Sequence, residues 1–75
     1  MRIGIPTEIK PLEGRVGLIP EACANLVHAG HEVFVQKGAG LKSGFDDASY
    51  RQAGVKILPD AGAIYEKGEM IVKVK

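Results

Sequence analysis

Residues 31–45 read HEVFVQKGAGLKSGF, a run that is β-branched and aromatic at its centre and ends in a turn with glycines at 38, 40 and 44. The centre of the run favours an extended strand. A glycine turn after an apolar strand is also the setting of a pyrophosphate-binding loop, so the reading of this stretch decides between two kinds of α/β unit. The dinucleotide fingerprint, G-x-G-x-x-G, uses its glycines for a tight turn, close pyrophosphate approach and helix-on-strand packing, all at a helix start. Here the third glycine arrives one residue late, and the turn follows the second strand of the chain rather than the first. An acid at the tip of the next strand should hold a ribose, yet Val55 to Leu58 leads into Pro59 and Asp60, a helix-capping residue. The turn is therefore expected to be a structural connection with Lys42 in solvent. No residue of the chain is assigned to cofactor binding.

Working outward from this strand, Arg2 to Ile5 is a short β-favouring run closed by Pro6. A polar loop, TEIKPLEGR, and a further apolar piece, VGLI, lead to Pro20, which is favoured at a first helical turn because its missing N–H would be unpaired there anyway. Ala22, Cys23, Leu26 and Val27 follow helical spacing, and Gly30 supplies a left-handed stop. Beyond the glycine turn, Asp46 caps a short helix, with Phe45 and Tyr50 spaced as a hydrophobic staple, and Gly54 ends it. Val55 to Leu58 is a third strand, Asp60 caps a third helix, Gly68 stops it, and Glu69 to Lys75 begins as a fourth strand. The order β-α-β-α-β-α-β predicts an α/β class with a partial doubly wound parallel sheet, Rossmann-like or flavodoxin-like, as the crossover lengths suit parallel strands.

At 75 residues the chain is one small domain or part of one, since a chain this short buries only about 60% of its unfolded surface. Because parallel sheets need both faces covered and no helix follows the fourth strand, the 75 residues are read as a piece of a longer chain. Ten Lys and Arg nearly cancel nine Asp and Glu, which gives no basic surplus for nucleic acid. Apolar runs such as Met70 to Val72 are far short of the roughly 20 residues that span a bilayer. With no charged leader before an apolar core, and a single cysteine that fits a reducing compartment, a cytoplasmic location is expected. Cys23, flanked by Ala22 and Ala24, is expected to be buried. His28 and His31 are separated by Gly30, which breaks the helix that would align them on a metal. His28 is expected instead as a last-turn residue at a helix end.

Ligands of open parallel sheets bind beyond the carboxyl ends of the strands. The loop after the first strand carries Glu8, Lys10, Glu13 and Arg15, and the fourth strand ends on Lys73, Val74 and Lys75. With strand order 2-1-3-4 these groups would share one edge across two strand spacings, about 10 Å. An arginine fork takes a carboxylate bidentately and a lysine supplies a compact donor, so Arg15 and Lys75 suit a small oxo-acid. Arg15 pairing with Glu8 or Glu13 in solvent is the alternative.

Four blocks in order, MRIGIPTEIKPLEGRVGLIP, LVHAGHEVFVQKGAGLKSGFDD, YRQAG and MIVKVK, resemble the N-terminal part of the alanine dehydrogenases over essentially the whole chain. The NAD-binding subunit of proton-translocating transhydrogenase and, more distantly, the lysine-forming saccharopine dehydrogenases share these blocks. GAGLKSGF and KVK favour the alanine dehydrogenases, since transhydrogenases tend to place asparagine at the position of Lys75. Gly14, Lys42 and Tyr65 depart from residues common in the family, and none of these departures removes a charged substrate contact.

The resemblance implies NAD-dependent oxidative deamination of L-alanine to pyruvate and ammonia by a cytoplasmic homo-hexamer acting on a small molecule, not on nucleic acid or membrane. It places the substrate-binding arginine on Arg15 and the substrate-binding lysine on Lys75. It implies that Arg15 clamps the carboxylate and Lys75 hydrogen-bonds the carbonyl oxygen of pyruvate. It implies that residues 1–75 are the N-terminal segment of the substrate (catalytic) domain, with the family's catalytic histidine and aspartate, and the separate NAD-binding domain with its true dinucleotide fingerprint, falling beyond residue 75. No catalytic, cofactor-binding or metal-binding residue is therefore expected within this segment.

Overall fold

The computed structural model describes residues 1–8 and 17–73. Strand β1 is Arg2–Ile5, and helix α1, Pro20–His28, starts with proline in its first turn. Ala29 closes α1 by donating to the carbonyls of Asn25 and Leu26, and Gly30 then takes a left-handed φ of 95°, which turns the chain into strand β2, Glu32–Gln36. A single 3-10 turn, Leu41–Ser43, separates β2 from helix α2, Asp47–Gln52, and Gly54 at φ 91° ends that helix. Strand β3 is Lys56–Leu58, helix α3 is Ala61–Lys67, and strand β4 is Met70–Ile71. The expected alternation of strands and helices is thus observed.

The four strands are parallel, in the order β3-β2-β1-β4. This corrects the flavodoxin-like order 2-1-3-4, in which β1 and β4 stand two spacings apart. In the structure they pair directly, Ile3 with Met70 and Gly4 with Ile71. The cause is visible at Gly4. A β-carbon there would stand 2.8 Å from Ile64 Cγ2 and 3.1 Å from Ile71 Cδ1. The bare backbone lets α3 lie on β1, and the chain comes down on the far side of β1 instead of beyond β3. Gly68 serves the same close approach, since a β-carbon there would stand 3.0 Å from the Ile64 carbonyl oxygen and Ile71 Cδ1 and 3.2 Å from the Gly4 amide nitrogen.

α1 and α2 cover one face over a core of Ile5, Cys23, Val33, Val35, Ala39, Tyr50 and Val55, while Ile64 of α3 is buried against the other. The order is that of the first four strands of the dinucleotide-type doubly wound sheet, in which the ligand crevice opens between strands 1 and 4.

Candidate functional site at the carboxyl edge of the sheet

β1 and β4 end side by side at this crevice. Past β1, the buried Pro6 leads to Thr7, whose amide donates to Gln36 Oε1 at the end of β2 (2.8 Å). The Thr7 hydroxyl oxygen is buried and has no hydrogen-bond partner among the described residues. Arg15 and Lys75, the two residues assigned to substrate, lie outside the described residues, as do Lys10, Glu13 and Val74. Described instead are the positions that flank them: Thr7, Glu8, Gly17 and Leu18 on the loop, Val72 and Lys73 on the strand.

These flanks meet. A β-carbon on Gly17 would sit 2.5 Å from the Val72 carbonyl oxygen and 3.2 Å from Lys73 Cα, so the returning loop lies directly on the extension of β4. Val72 is held from the other side, because its amide donates to the Gly4 carbonyl (2.9 Å) and its side chain packs on the core. Lys73 is exposed. Leu18 is held by Tyr50, whose hydroxyl donates to the Leu18 carbonyl at 2.8 Å across 32 residues of sequence. Burial, then the neighbouring Cys23 and Asp47, pushes the Tyr50 hydroxyl up to about 12, which keeps it a donor at neutral pH.

The glycine turn now has a structural account. Gly38 and Gly44 take left-handed φ values of 78° and 87°. Gly40 is buried beneath Tyr50, and a β-carbon there would stand 2.7 Å from Tyr50 Cε2 and 2.9 Å from its hydroxyl. Lys42 is exposed, as expected. The turn does not fit a pyrophosphate: the Gly38 amide is already taken by Asp47 Oδ1 at 2.9 Å, a carboxylate that would repel a phosphate, and the glycines open a 3-10 turn rather than an α-helix.

Elsewhere, Cys23 is fully buried, and burial pushes its thiol up to about 11. His28 is exposed in the last turn of α1, and His31 Nδ1 lies 3.3 Å from the N-terminal amine of Met1. No group of three or more metal-ligating side chains occurs among the described residues. A hollow of about 420 Å³ lies towards the amino edge, lined by Arg2, Glu32, Phe34, Lys56, Leu58 and residues of α3, and its Lys56 already pairs with Glu32 (3.5 Å). No helix among the described residues is long and apolar enough to cross a membrane.

Thr7, Gly17, Gln36 and the hydroxyl of Tyr50 were not singled out as site residues by sequence reasoning. Tyr50 was legible only as a staple residue, because nothing local announces a bond to a carbonyl 32 positions away.

Comparison with known proteins accords with this geometry. The family model described as "Alanine dehydrogenase/PNT, N-terminal domain" matches residues 4–75. An alanine dehydrogenase of Methanococcus maripaludis is 47% identical over all 75 residues, which cover 20% of that protein. The NAD(P) transhydrogenase subunit alpha of Cereibacter sphaeroides is 43% identical over the same 75, which cover 14% of it. A solved L-alanine dehydrogenase superposes with a TM-score of 0.94 at 48% identity, over 97% of this chain and 20% of that one. The chain thus spans a fifth or less of the length of these relatives.

Proposed function

Because the chain belongs to the alanine dehydrogenase/PNT N-terminal domain family, we propose that it is the substrate-holding N-terminal segment of an alanine dehydrogenase, which interconverts L-alanine with pyruvate and ammonia. Arg15 grips the substrate carboxylate, for which the planar guanidinium offers two parallel donors. Lys75 donates to the carbonyl oxygen of pyruvate and draws charge towards it as ammonia adds, which makes the carbon more electrophilic.

The observation that carries this reading is the direct pairing of β1 with β4, together with the seating of Gly17 on Val72. Arg15 is two residues from Gly17 in the sequence and Lys75 three from Val72. The two assigned positions thus adjoin, in sequence, the two described flanks that meet. NAD is the cofactor of this reaction. The glycine turn of this chain does not fit its pyrophosphate. The contribution of these residues is to bind, orient and polarise the substrate.

The test is kinetic. In the full-length enzyme Arg15→Ala is expected to raise the KM for pyruvate, or lower kcat/KM, by at least about tenfold, the worth of a charge-assisted bidentate contact. Unchanged kinetics would remove Arg15 from the site.

A second reading rests on the 43% identity to the transhydrogenase subunit, namely that the longer protein passes hydride between two dinucleotides in a proton-pumping assembly. L-alanine-dependent reduction of NAD by the purified protein supports the dehydrogenase. Reduction of NAD by NADPH without any L-alanine activity supports the transhydrogenase.

A further inference from the structure

We propose that the amino edge of the sheet, on the face that α3 covers, is a two-fold interface with a second copy of this chain, its register set by a row of four alternating charges. This goes beyond the substrate reading and holds for a dehydrogenase and a transhydrogenase alike.

The row crosses all four strands. Glu69, next to the start of β4, accepts from the Arg2 amide through Oε1 (2.9 Å), and the same oxygen lies 3.7 Å from Arg2 Nε. Arg2 on β1 stands in register with Glu32 on β2, and Glu32 pairs with Lys56 on β3 at 3.5 Å. From β4 to β3 the signs therefore run minus, plus, minus, plus, over three strand spacings or about 14 Å. All four side chains are more than half exposed. Ion pairs so exposed stabilise the chain little, and each charge keeps access to a further partner.

A row with equal numbers of both signs offers nothing to nucleic acid or an anionic membrane, which call for a basic surplus. It does match itself. A two-fold axis crossing the row at right angles between Arg2 and Glu32 sets Glu69 opposite the partner's Lys56 and Arg2 opposite the partner's Glu32, so all four facing pairs attract. A row reading plus, minus, minus, plus would instead set like against like. An isologous interface requires this kind of self-complementarity. Facing charges fix register and orientation more than affinity. Apolar contact is at hand in the same place, because Arg2, Glu32 and Lys56 line the hollow of about 420 Å³ whose wall includes Phe34 and Leu58.

The experiment compares wild type, Arg2→Glu, Glu32→Lys and the double variant in the full-length protein, measuring Tm and, by sedimentation velocity, the strength of association between copies. Arg2→Glu sets two carboxylates against each other twice over, and Glu32→Lys does the same with cations. Each is expected to associate at least about tenfold more weakly than wild type. An equal mixture of the two single variants restores attraction at all four facing pairs and is expected to reassemble as a hybrid. The double variant restores them as well, while turning both pairs within the chain, Arg2 with Glu69 and Glu32 with Lys56, into like charges. It is expected to have a lower Tm and yet associate within about threefold of wild type, a combination that mere damage to the fold would not give. Wild-type association is expected to weaken as salt rises from about 0.01 M to about 1 M, over which the screening length shrinks from about 30 to about 3 Å. If a reversed variant does not fold, Arg2→Gln and Glu32→Gln take its place, each expected to weaken association about threefold. A wild-type protein that stays monomeric, single variants that associate as wild type does, or a mixture and a double variant that fail to recover would each overturn the interface.

Discussion

Cys23 and Tyr50 are both fully buried beneath α1 and α2, and each resists ionisation more than it would in water. The thiol moves from its ordinary 9.0 to about 11 and the phenol from 10.0 to about 12, chiefly through burial. An unfolded chain releases these protons earlier than the folded one. Their contribution to stability is therefore complete below the unfolded values and is lost as pH rises from 9.0 through about 11 for Cys23 and from 10.0 through about 12 for Tyr50. Urea midpoints of the full-length protein should thus hold steady up to about pH 8 and fall above about pH 9, with Cys23→Ser removing the earlier part of the fall. At neutral pH the buried thiol should react with a maleimide or disulfide reagent only at the rate at which the domain opens. Rapid labelling of native protein would contradict its burial.

Helix ends show how much of the local structure could be read from sequence. Asp46 and Asp60 cap α2 and α3 as their spacing predicts, accepting from the amides of Ser49 (2.9 Å) and Ala63 (2.8 Å). Donation from the Ser49 amide, then its hydroxyl, holds the Asp46 carboxyl below its ordinary 3.8. The cap's stability is thus present above pH 3.8 and lost as pH falls through the lower folded value. In the full-length protein Asp46→Ala is expected to lower Tm at neutral pH, with the gap to wild type closing in strong acid. Asp46→Asn should keep most of the cap and lose its pH dependence, since the amide oxygen still accepts but does not titrate. Caps, glycine stops and strand positions are legible because each depends on residues a few places apart. Strand order was not, because it turns on Gly4 meeting Ile64, a contact between residues sixty apart that no local pattern encodes. For the candidate site, spacing alone brought Arg15 and Lys75 to one edge and the family resemblance gave them roles. The structure adds contacts between described residues on either side, Gly17 on Val72 and Tyr50 on Leu18, which are long-range and invisible in sequence.

At the scale of the whole molecule, a four-strand sheet is flanked by its two shortest strands, β3 of three residues and β4 of two. Met70 on β4 is 44% exposed, and Tyr65 of α3 is 52% exposed. Such unpaired edges are templates for association. Expressed alone, the 75 residues are expected to show no sharp calorimetric transition and to sediment as mixed oligomers. A single cooperative transition from a monomer would overturn that expectation.

The anchors at the crevice share one property: both the Leu18 and the Val72 contacts end on carbonyl oxygens. A hold on the main chain is indifferent to what side chains the loop carries. The bond from Tyr50 therefore does not depend on which side chain stands at position 18. For an engineer, position 18 is thus open to variation, while Tyr50 and Gly17, which have a bond and a close backbone contact to lose, are to be left untouched.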